Sequence, residues 1–311
     1  MKIGIAGLGY WGKKVFREYL PLANQGLIDR VHLYDSQTSM LSDRIFQSPQ
    51  VVIDDSYQSM IKSIDAVHIC VPNNFHYQYA LRSIEAGVST MVEKPLTKNS
   101  TEAFNLVELA LEKGTVLQVG NIFRFSNSLR IAREMIKNGA IGSINHINIT
   151  WTHIAPSDNS RAEDVLWDLG PHIFDILNFL TGSWPIAAEY NPYKSVGVKG
   201  LLNQADLILN YGTFTSSIRM SLVDHKRTRM VDVAGTQATI ILDPVNQSIE
   251  VHNNGGIKCT EVEKNNTLRD EIMNFIECSR NGTTKINSGN LGAAIVRELE
   301  QINGVRQNET Q

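Results

Sequence analysis

Long apolar runs are missing from this chain. None of its 311 residues falls in a run approaching the roughly 18 consecutive apolar positions of a membrane span. Met1 leads directly into a strand-like segment, with no secretory leader pattern. A cytoplasmic protein without a membrane partner is the expectation. Cysteine is scarce. The three present, Cys70, Cys259 and Cys278, lie far apart without metal-ligand spacing and suit unpaired thiols in a reducing compartment. Basic clusters are scarce too. The formal net charge is −3, and cations gather only at Lys226-Arg227-Thr228-Arg229, which argues against nucleic acid as a partner. That short cluster reads as an exposed sheet edge or an anion contact. Internal repeats and low-complexity segments are absent. An apolar share of 42% and a charged share of 20% are those of a globular protein. A chain this long predicts two domains, each able to bury a core.

Glycine, by contrast, is concentrated where it carries information. Lys2-Ile3-Gly4-Ile5-Ala6 reads as a strand and opens into Gly7-Leu8-Gly9-Tyr10-Trp11-Gly12 and a helical pattern, a G-x-G-x-x-G turn between strand and helix. In a dinucleotide site Gly7 permits the sharp turn, Gly9 leaves room for a pyrophosphate, and Gly12 allows close packing of helix on strand. The helix N-terminus presents free N–H groups to phosphate. Val31-His32-Leu33-Tyr34 reads as the second strand, and Asp35 follows it about twenty residues beyond the motif, where a carboxylate meets the adenine ribose. Such a carboxylate repels a 2′-phosphate, and Ser36 and Gln37 supply no cation to hold one. NAD is expected, without excluding NADP. The competing reading of Asp35 is a turn residue.

Strand and helix continue to alternate to about residue 122. A helical stretch is predicted over Met40–Phe46, strands over 51–53, 65–71, 88–92 and 115–119, and helices over Phe75–Ala86 and Ser100–Lys113. This is a doubly wound parallel sheet whose ligands belong at the strand carboxyl ends. The loops there carry Pro72, Asn73 and His76, then Glu93-Lys94-Pro95, then Asn121 and Arg124. Asn73 reads equally as a helix cap and a ligand contact, and His76 equally as a first-turn surface histidine. Lys94, between Glu93 and Pro95 at the end of a buried strand, is poorly placed as a solvated charge. Pro95 would fix its backbone.

After residue 122 the pattern changes. A helix is predicted over Ser128–Asn138 and a strand over Ile144–Trp151, then a polar loop over Ala155–Asp164. Beyond the next helix come strands over 188–196, 205–209, 213–222, 230–234, 239–242 and 248–252, without intervening helices. Residues 123–311 therefore read as an α+β domain with a large, mostly antiparallel open sheet, closed by helices over 268–280 and 292–303 and a frayed polar tail. The helix containing Trp167–Leu177 carries the chemistry. At about 100° per residue, Leu169, Ile173, Ile176 and Leu180 share a core face, while Asp168, His172 and Asp175 lie on a neighbouring stripe. Pro171 is tolerated only in a first turn, which puts Asp168 near the helix N-terminus. There its carboxylate can hold the His172 imidazole in one tautomer. Zinc would also accept Asp and His at this spacing, but no further ligands accompany them, and no metal is expected. A third reading is a capped helix with a surface histidine. With a dinucleotide fold upstream, an Asp-oriented histidine fits a base that takes a hydroxyl proton.

The glycine turn, Pro72-Asn73-Asn74-Phe75-His76, Glu93-Lys94-Pro95 and Asp168-Leu169-Gly170-Pro171-His172 resemble, in order and over nearly the whole chain, the Gfo/Idh/MocA oxidoreductases, the glucose-fructose oxidoreductase and inositol dehydrogenase group. The resemblance implies a Rossmann domain at 1–122 and a substrate and oligomerisation domain at 123–311. It implies cofactor contacts from Gly7, Gly9, Tyr10, Trp11, Gly12, Asp35, Pro72, Asn73, His76, Glu93 and Lys94. Lys94 would steady the reacting oxygen, His172 act as acid/base, and Asp168 orient it, these three also meeting substrate. It further implies a cis peptide before Pro95 and a homodimer or homotetramer formed through the open sheet. Tyr10-Trp11 and Leu166–His172 look more like members acting on nucleotide-linked sugars, in which case Arg124 or the Lys226–Arg229 cluster would meet a diphosphate. The expected activity is hydride transfer between NAD and a secondary hydroxyl or ketone of a carbohydrate. An inositol, polyol or free-sugar dehydrogenase is the alternative, and a non-catalytic dinucleotide-binding regulator is the alternative from another class.

Overall fold

Short β-branched runs separated by glycine-closed helices build a parallel sheet in the first part of the chain. In the computed structural model, which describes residues 1–154, 163–193, 202–284 and 286–309, these runs are β1 (Lys2–Ala6), β2 (Arg30–Tyr34), β3 (Val51–Ile53), β4 (Ala66–Ile69), β5 (Ser89–Glu93) and β6 (Leu117–Gly120). They pair in parallel in the order β3-β2-β1-β4-β5-β6. The order reverses between β1 and β4, and a crevice at such a switch point is where doubly wound sheets bind ligands. α1 (Tyr10–Asn24) follows the glycine turn, α2 (Tyr57–Ile61) precedes β4, and α3 (His76–Glu85) and α4 (Ser100–Lys113) flank β5. Gly114, at φ +64°, closes α4 in the left-handed conformation.

The predicted helix over Met40–Phe46 is two 3₁₀ turns, Thr38–Ser42 and Arg44–Phe46, divided where Asp43 turns extended and accepts from the Ile45 N–H. α2 was not foreseen. It is one short helix, held by reciprocal capping between Ser56 and Ser59.

The second sheet holds β7 (Ile144–Ile154), β8 (Ala187–Tyr193), β9 (Gln204–Asn210), β10 (Thr215–Ser221), β11 (Val223–Gly235), β12 (Thr239–Asp243), β13 (Ser248–Asn253) and β14 (Gly256–Thr260). Its order is β14-β13-β12-β11-β7-β10-β9-β8, antiparallel throughout except where β10 runs parallel to β7. α5 (Asn127–Lys137) and α6 (Val165–Thr181) pack on one of its faces, and β9 alternates buried and exposed residues along its length. β14 escaped the sequence reading because Ile257-Lys258-Cys259 alternates over only three residues, too short a run to read as a strand. The Lys226–Arg229 cluster does not lie on an edge strand. It sits in β11, where Thr228 and Arg229 pair with β7, while pairing to β12 begins only at Val231. Most of the expected polar loop at 155–164, and the end of the strand expected at 188–196, fall outside the described residues.

The chain does not divide into two consecutive domains. One compact unit comprises 1–122 together with 267–297, the other 123–266 with 298–311. α7 (Thr267–Asn281) therefore belongs with the parallel sheet. Its Ile272 and Phe275 are buried in one cluster with Ile3, Val31 and with Phe16 and Tyr19 of α1, and Arg269 Nε donates to Glu18 at 2.7 Å. Each such burial contributes roughly 1.5–3 kcal/mol, more than any surface pairing along the helix offers. The last helix, α8, runs over Gly289–Glu309, so the helix expected over 292–303 continues into the segment expected to fray. Gly292 and Gly304, the weakest helix formers in its interior, cost only about 1 kcal/mol each.

Candidate active site

Around the glycine turn the backbone dictates residue type. Gly7 has φ +91°, and a Cβ there would lie 2.7 Å from the Cys70 carbonyl; a Cβ on Gly12 would lie 1.9 Å from the Gly7 oxygen. Gly9 is the extended N-cap of α1 and offers no side chain to the helix terminus, and the first turn carries no acidic residue. A cradle lacking both side chains and negative charge fits a pyrophosphate. Tyr10 is exposed beside it, with the Lys14 ammonium 4.4 Å from its ring centroid.

Asp35 stands at the end of β2. Its Oδ2 accepts from the Leu8 N–H at 2.6 Å and its Oδ1 from the Gln37 N–H at 2.8 Å. The carboxylate thus braces the glycine turn, and four lone-pair sites leave it capacity for ribose hydroxyls.

At the end of β5, Glu93 Oε1 accepts from Trp11 Nε1 at 2.5 Å and meets His68 Nε2 at 3.0 Å. A Cβ on Gly120 would lie 2.7 Å from Glu93 Oε2, so the carboxylate occupies space a side chain would fill. Lys94 follows, half-buried, and the Lys94–Pro95 peptide is cis. Pro72 is exposed, and Asn73 opens a 3₁₀ turn over Asn73–Phe75 without capping α3, whose N-cap is Phe75. His76 is not a surface histidine. It is fully buried, Nδ1 lying 2.7 Å from the Pro95 carbonyl oxygen and Nε2 2.9 Å from that of Val71. Both ring nitrogens face protein oxygens, so His76 acts as a tie between two loops rather than as a presented ligand.

In the other unit, α6 starts at Val165 with Asp164 as cap, its carboxylate accepting from the Leu166 N–H at 3.0 Å. Asp168 lies in the first turn, as expected, but Pro171 lies deeper, inside the helix. A Cβ on Gly170 beside it would come within 2.6 Å of the Leu299 side-chain tip, so Leu299 packs directly on the glycine. His172 is half-buried between two rings, its centroid 5.1 Å from Phe123 edge-on and 6.2 Å from Trp151. Neither aromatic residue was foreseen as part of this site; Trp151 was legible only as the end of an alternating strand.

Asp175 leaves the stripe it was expected to share. It is buried, with Oδ1 accepting from Arg124 Nε at 2.5 Å, while another Arg124 nitrogen donates to Asn178 at 2.8 Å. Burial pushes the Asp175 carboxyl above the usual range, and Arg124 pulls it part of the way back. A guanidinium so engaged is spoken for, and Arg124 reads as a structural cation rather than a substrate contact.

The fold and the glycine cradle define a dinucleotide-binding protein, with a second unit that carries an aspartate–histidine pair on a helix. The description "Oxidoreductase family, NAD-binding Rossmann fold" matches residues 1–121, and "GFO/IDH/MocA C-terminal domain" matches residues 129–241. The chain belongs to the GFO/IDH/MocA family of NAD-binding oxidoreductases. It is 24% identical over 294 residues to the UDP-N-acetylglucosamine 3-dehydrogenase of Acidithiobacillus ferrooxidans, covering 89% of this chain and 88% of that one. It is 27% identical over 219 residues to the scyllo-inositol 2-dehydrogenase (NADP(+)) of Bacillus subtilis, covering 68% and 60% of the two chains. The solved structure of the Acidithiobacillus enzyme superposes with a TM-score of 0.85 at 21% identity, over 97% of this chain and 96% of that one. Among the described residues no helix is long and apolar enough to cross a membrane.

Proposed function

We propose that the protein oxidises or reduces a secondary hydroxyl of a sugar, nucleotide-linked sugars included, with NAD preferred over NADP. The observation that carries this is His172, an imidazole held between Phe123 and Trp151 on α6, with Asp168 one turn before it at the positive end of the helix. Bound nicotinamide supplies the hydride acceptor or donor. In the oxidation direction His172 takes the hydroxyl proton at a ring nitrogen, and Asp168 favours the imidazolium that results. Lys94 places an ammonium against the oxygen as negative charge develops on it. Asp35 accounts for the NAD preference through its carboxylate. The three thiols, Cys70, Cys259 and Cys278, form no disulfide and suit a cytoplasmic setting. The exposed face of the second sheet, where Tyr193 and Ile208 are solvent-facing, suits a homodimer or homotetramer.

The test is nicotinamide absorbance with NAD and NADH against UDP-sugars, free sugars and inositols. Turnover that falls about 10²- to 10⁴-fold in His172→Ala supports the reading, as expected for loss of a general base. Full turnover in Lys94→Ala refutes the role given to Lys94. Binding of NAD with no turnover on any carbohydrate would favour a dinucleotide-binding regulator.

A further inference from the structure

Arg229 stands out among the cations of the second unit. Its guanidinium carbon lies 4.8 Å from the centroid of Trp151, the same indole that packs against His172 at 6.2 Å. Its Nη1 donates to the carbonyl oxygens of Thr152 at 2.7 Å and Thr228 at 3.0 Å, and its Nη2 to Nδ1 of His153 at 3.0 Å. All three acceptors are neutral. Among the described residues no carboxylate comes within ion-pair distance of Arg229, and its Nε–H donates to nothing. The other arginines near α6 differ. Arg124 is paired with Asp175, and Arg133 lies over Phe179 at 4.7 Å. Lys226 and Arg227 are exposed.

A half-buried cation held only by neutral groups is costly to desolvate, and an anion repays that cost. Burial and the neighbouring Arg227 already pull the Arg229 pKa down to about 10, with Asp168 and Asp243 acting the other way. The Nε–Nη2 edge of a guanidinium is the edge that grips paired oxygens. Its plane is fixed by the Trp151 stack and by the two carbonyls, so little conformational freedom is left to lose on binding. One indole thus joins the acid/base candidate to a cation lacking a counter-ion.

We infer that Arg229 is an anion subsite beside His172, so that the substrate carries a phosphate or carboxylate on the sugar whose hydroxyl reacts. This rests on the oxidoreductase reading above for the identity of the reacting group. It singles out Arg229, rather than Arg124 or the exposed lysine, as the group that selects a charged sugar over a neutral one.

The experiment compares wild type, Arg229→Met, which keeps the stem and removes the charge, and Arg229→Lys, which keeps charge without the fork. Each is assayed for turnover of UDP-N-acetylglucosamine, glucuronate and glucose, and for calorimetric binding of UDP and of glucuronate. Thermal unfolding is followed in parallel. The ratio of kcat/KM for charged over neutral sugar should fall about 10- to 100-fold in Arg229→Met, through KM, as expected for a lost charge-assisted hydrogen bond. Arg229→Lys should recover part of it. A fall confined to UDP-N-acetylglucosamine identifies a diphosphate, and one confined to glucuronate a uronate carboxylate; either supports the subsite. An unchanged ratio overturns it, and so does an equal loss on glucose, which would make Arg229 only a support for Trp151. If no carbohydrate turns over but UDP or glucuronate binds wild type and not Arg229→Met, the subsite stands and the oxidoreductase reading falls. If glucose turns over and wild type binds neither anion, the reverse holds.

Discussion

Trp11 donates its indole Nε1–H to Oε1 of Glu93 at 2.5 Å, tying the glycine turn after β1 to the last residue of β5. The same oxygen faces His68 Nε2 from β4, so residues of α1 and β4 converge on the carboxylate at the end of β5. Lys94 is the next residue along, and its backbone is therefore set by a contact to the cofactor cradle. Trp11→Phe removes the donor while keeping most of the ring. It should lower stability by about 1.5–3 kcal/mol, the usual worth of a hydrogen bond to a charged group. It should also raise the KM for NAD, as chemical denaturation and initial-rate kinetics would show. A variant with wild-type values in both would mean that the tie is incidental.

Gly12 admits no substitution. A methyl group there meets the Gly7 carbonyl oxygen at 1.9 Å, and backbone cannot step aside as a side-chain tip can. Gly12→Ala should cost at least about 3 kcal/mol and abolish tight NAD binding. Gly26→Ala is the control on a glycine with nothing within 4 Å of its Cβ position. Its strain comes from φ +74° alone, and its NAD affinity should be that of wild type. Fluorescence titration of NADH reads both.

Asp35 has a double task, bracing Leu8 and standing where an adenine ribose belongs. Asp35→Ala should therefore change two measurements. The NADP to NAD ratio of kcat/KM should rise about tenfold or more as the repelling carboxylate is lost. Stability should fall by roughly 1–3 kcal/mol as the Leu8 N–H loses its acceptor. A stability loss with an unchanged cofactor ratio would leave Asp35 as a turn residue only.

The difference between what the sequence discloses here and what it hides is one of range. The glycine turn, the alternation of strand and helix, and the first-turn position of Asp168 are local patterns and were legible. His76 read equally as a cofactor contact and a surface residue because its burial depends on the carbonyl of Pro95, in the loop after β5, as well as that of Val71 in its own connection. Trp11 and Glu93 are 82 residues apart, and no periodicity links them. Arg124 looked available for substrate because its partners lie on α6. Asp175 and Asn178, three residues apart on that helix, were the signal that something cationic is held there. Pro171 broke the first-turn rule: it lies buried inside α6, where tertiary packing and not local propensity sets the helix. The return of α7 to the parallel sheet has no local signature at all.

The Arg124–Asp175 pair gives a pH-dependent prediction with a definite sign. Asp175 is 1% exposed, and its folded pKa lies above the unfolded value of about 4. The native state therefore holds this proton more tightly than the unfolded chain does. Its contribution to stability is fully present below about pH 4 and is lost as pH rises through the folded pKa. Arg124 limits that loss by stabilising the carboxylate. In Arg124→Met the carboxylate is left buried without its cation, so its pKa should rise further and the variant should be less stable at pH 7.5 by about 3–5 kcal/mol. Because protonation removes the stranded charge, the deficit relative to wild type should shrink steadily as pH falls from 7.5 to 5. Asp175→Asn in the Arg124→Met background should abolish that pH dependence, since no titrating group is left at the site. Urea denaturation of wild type, Arg124→Met, Asp175→Asn and the double variant across this range, read as a double-mutant cycle, measures the coupling at each pH. A deficit that is flat with pH would show that Arg124 contributes through packing on Phe179, over which it lies at 5.2 Å, and not through its charge.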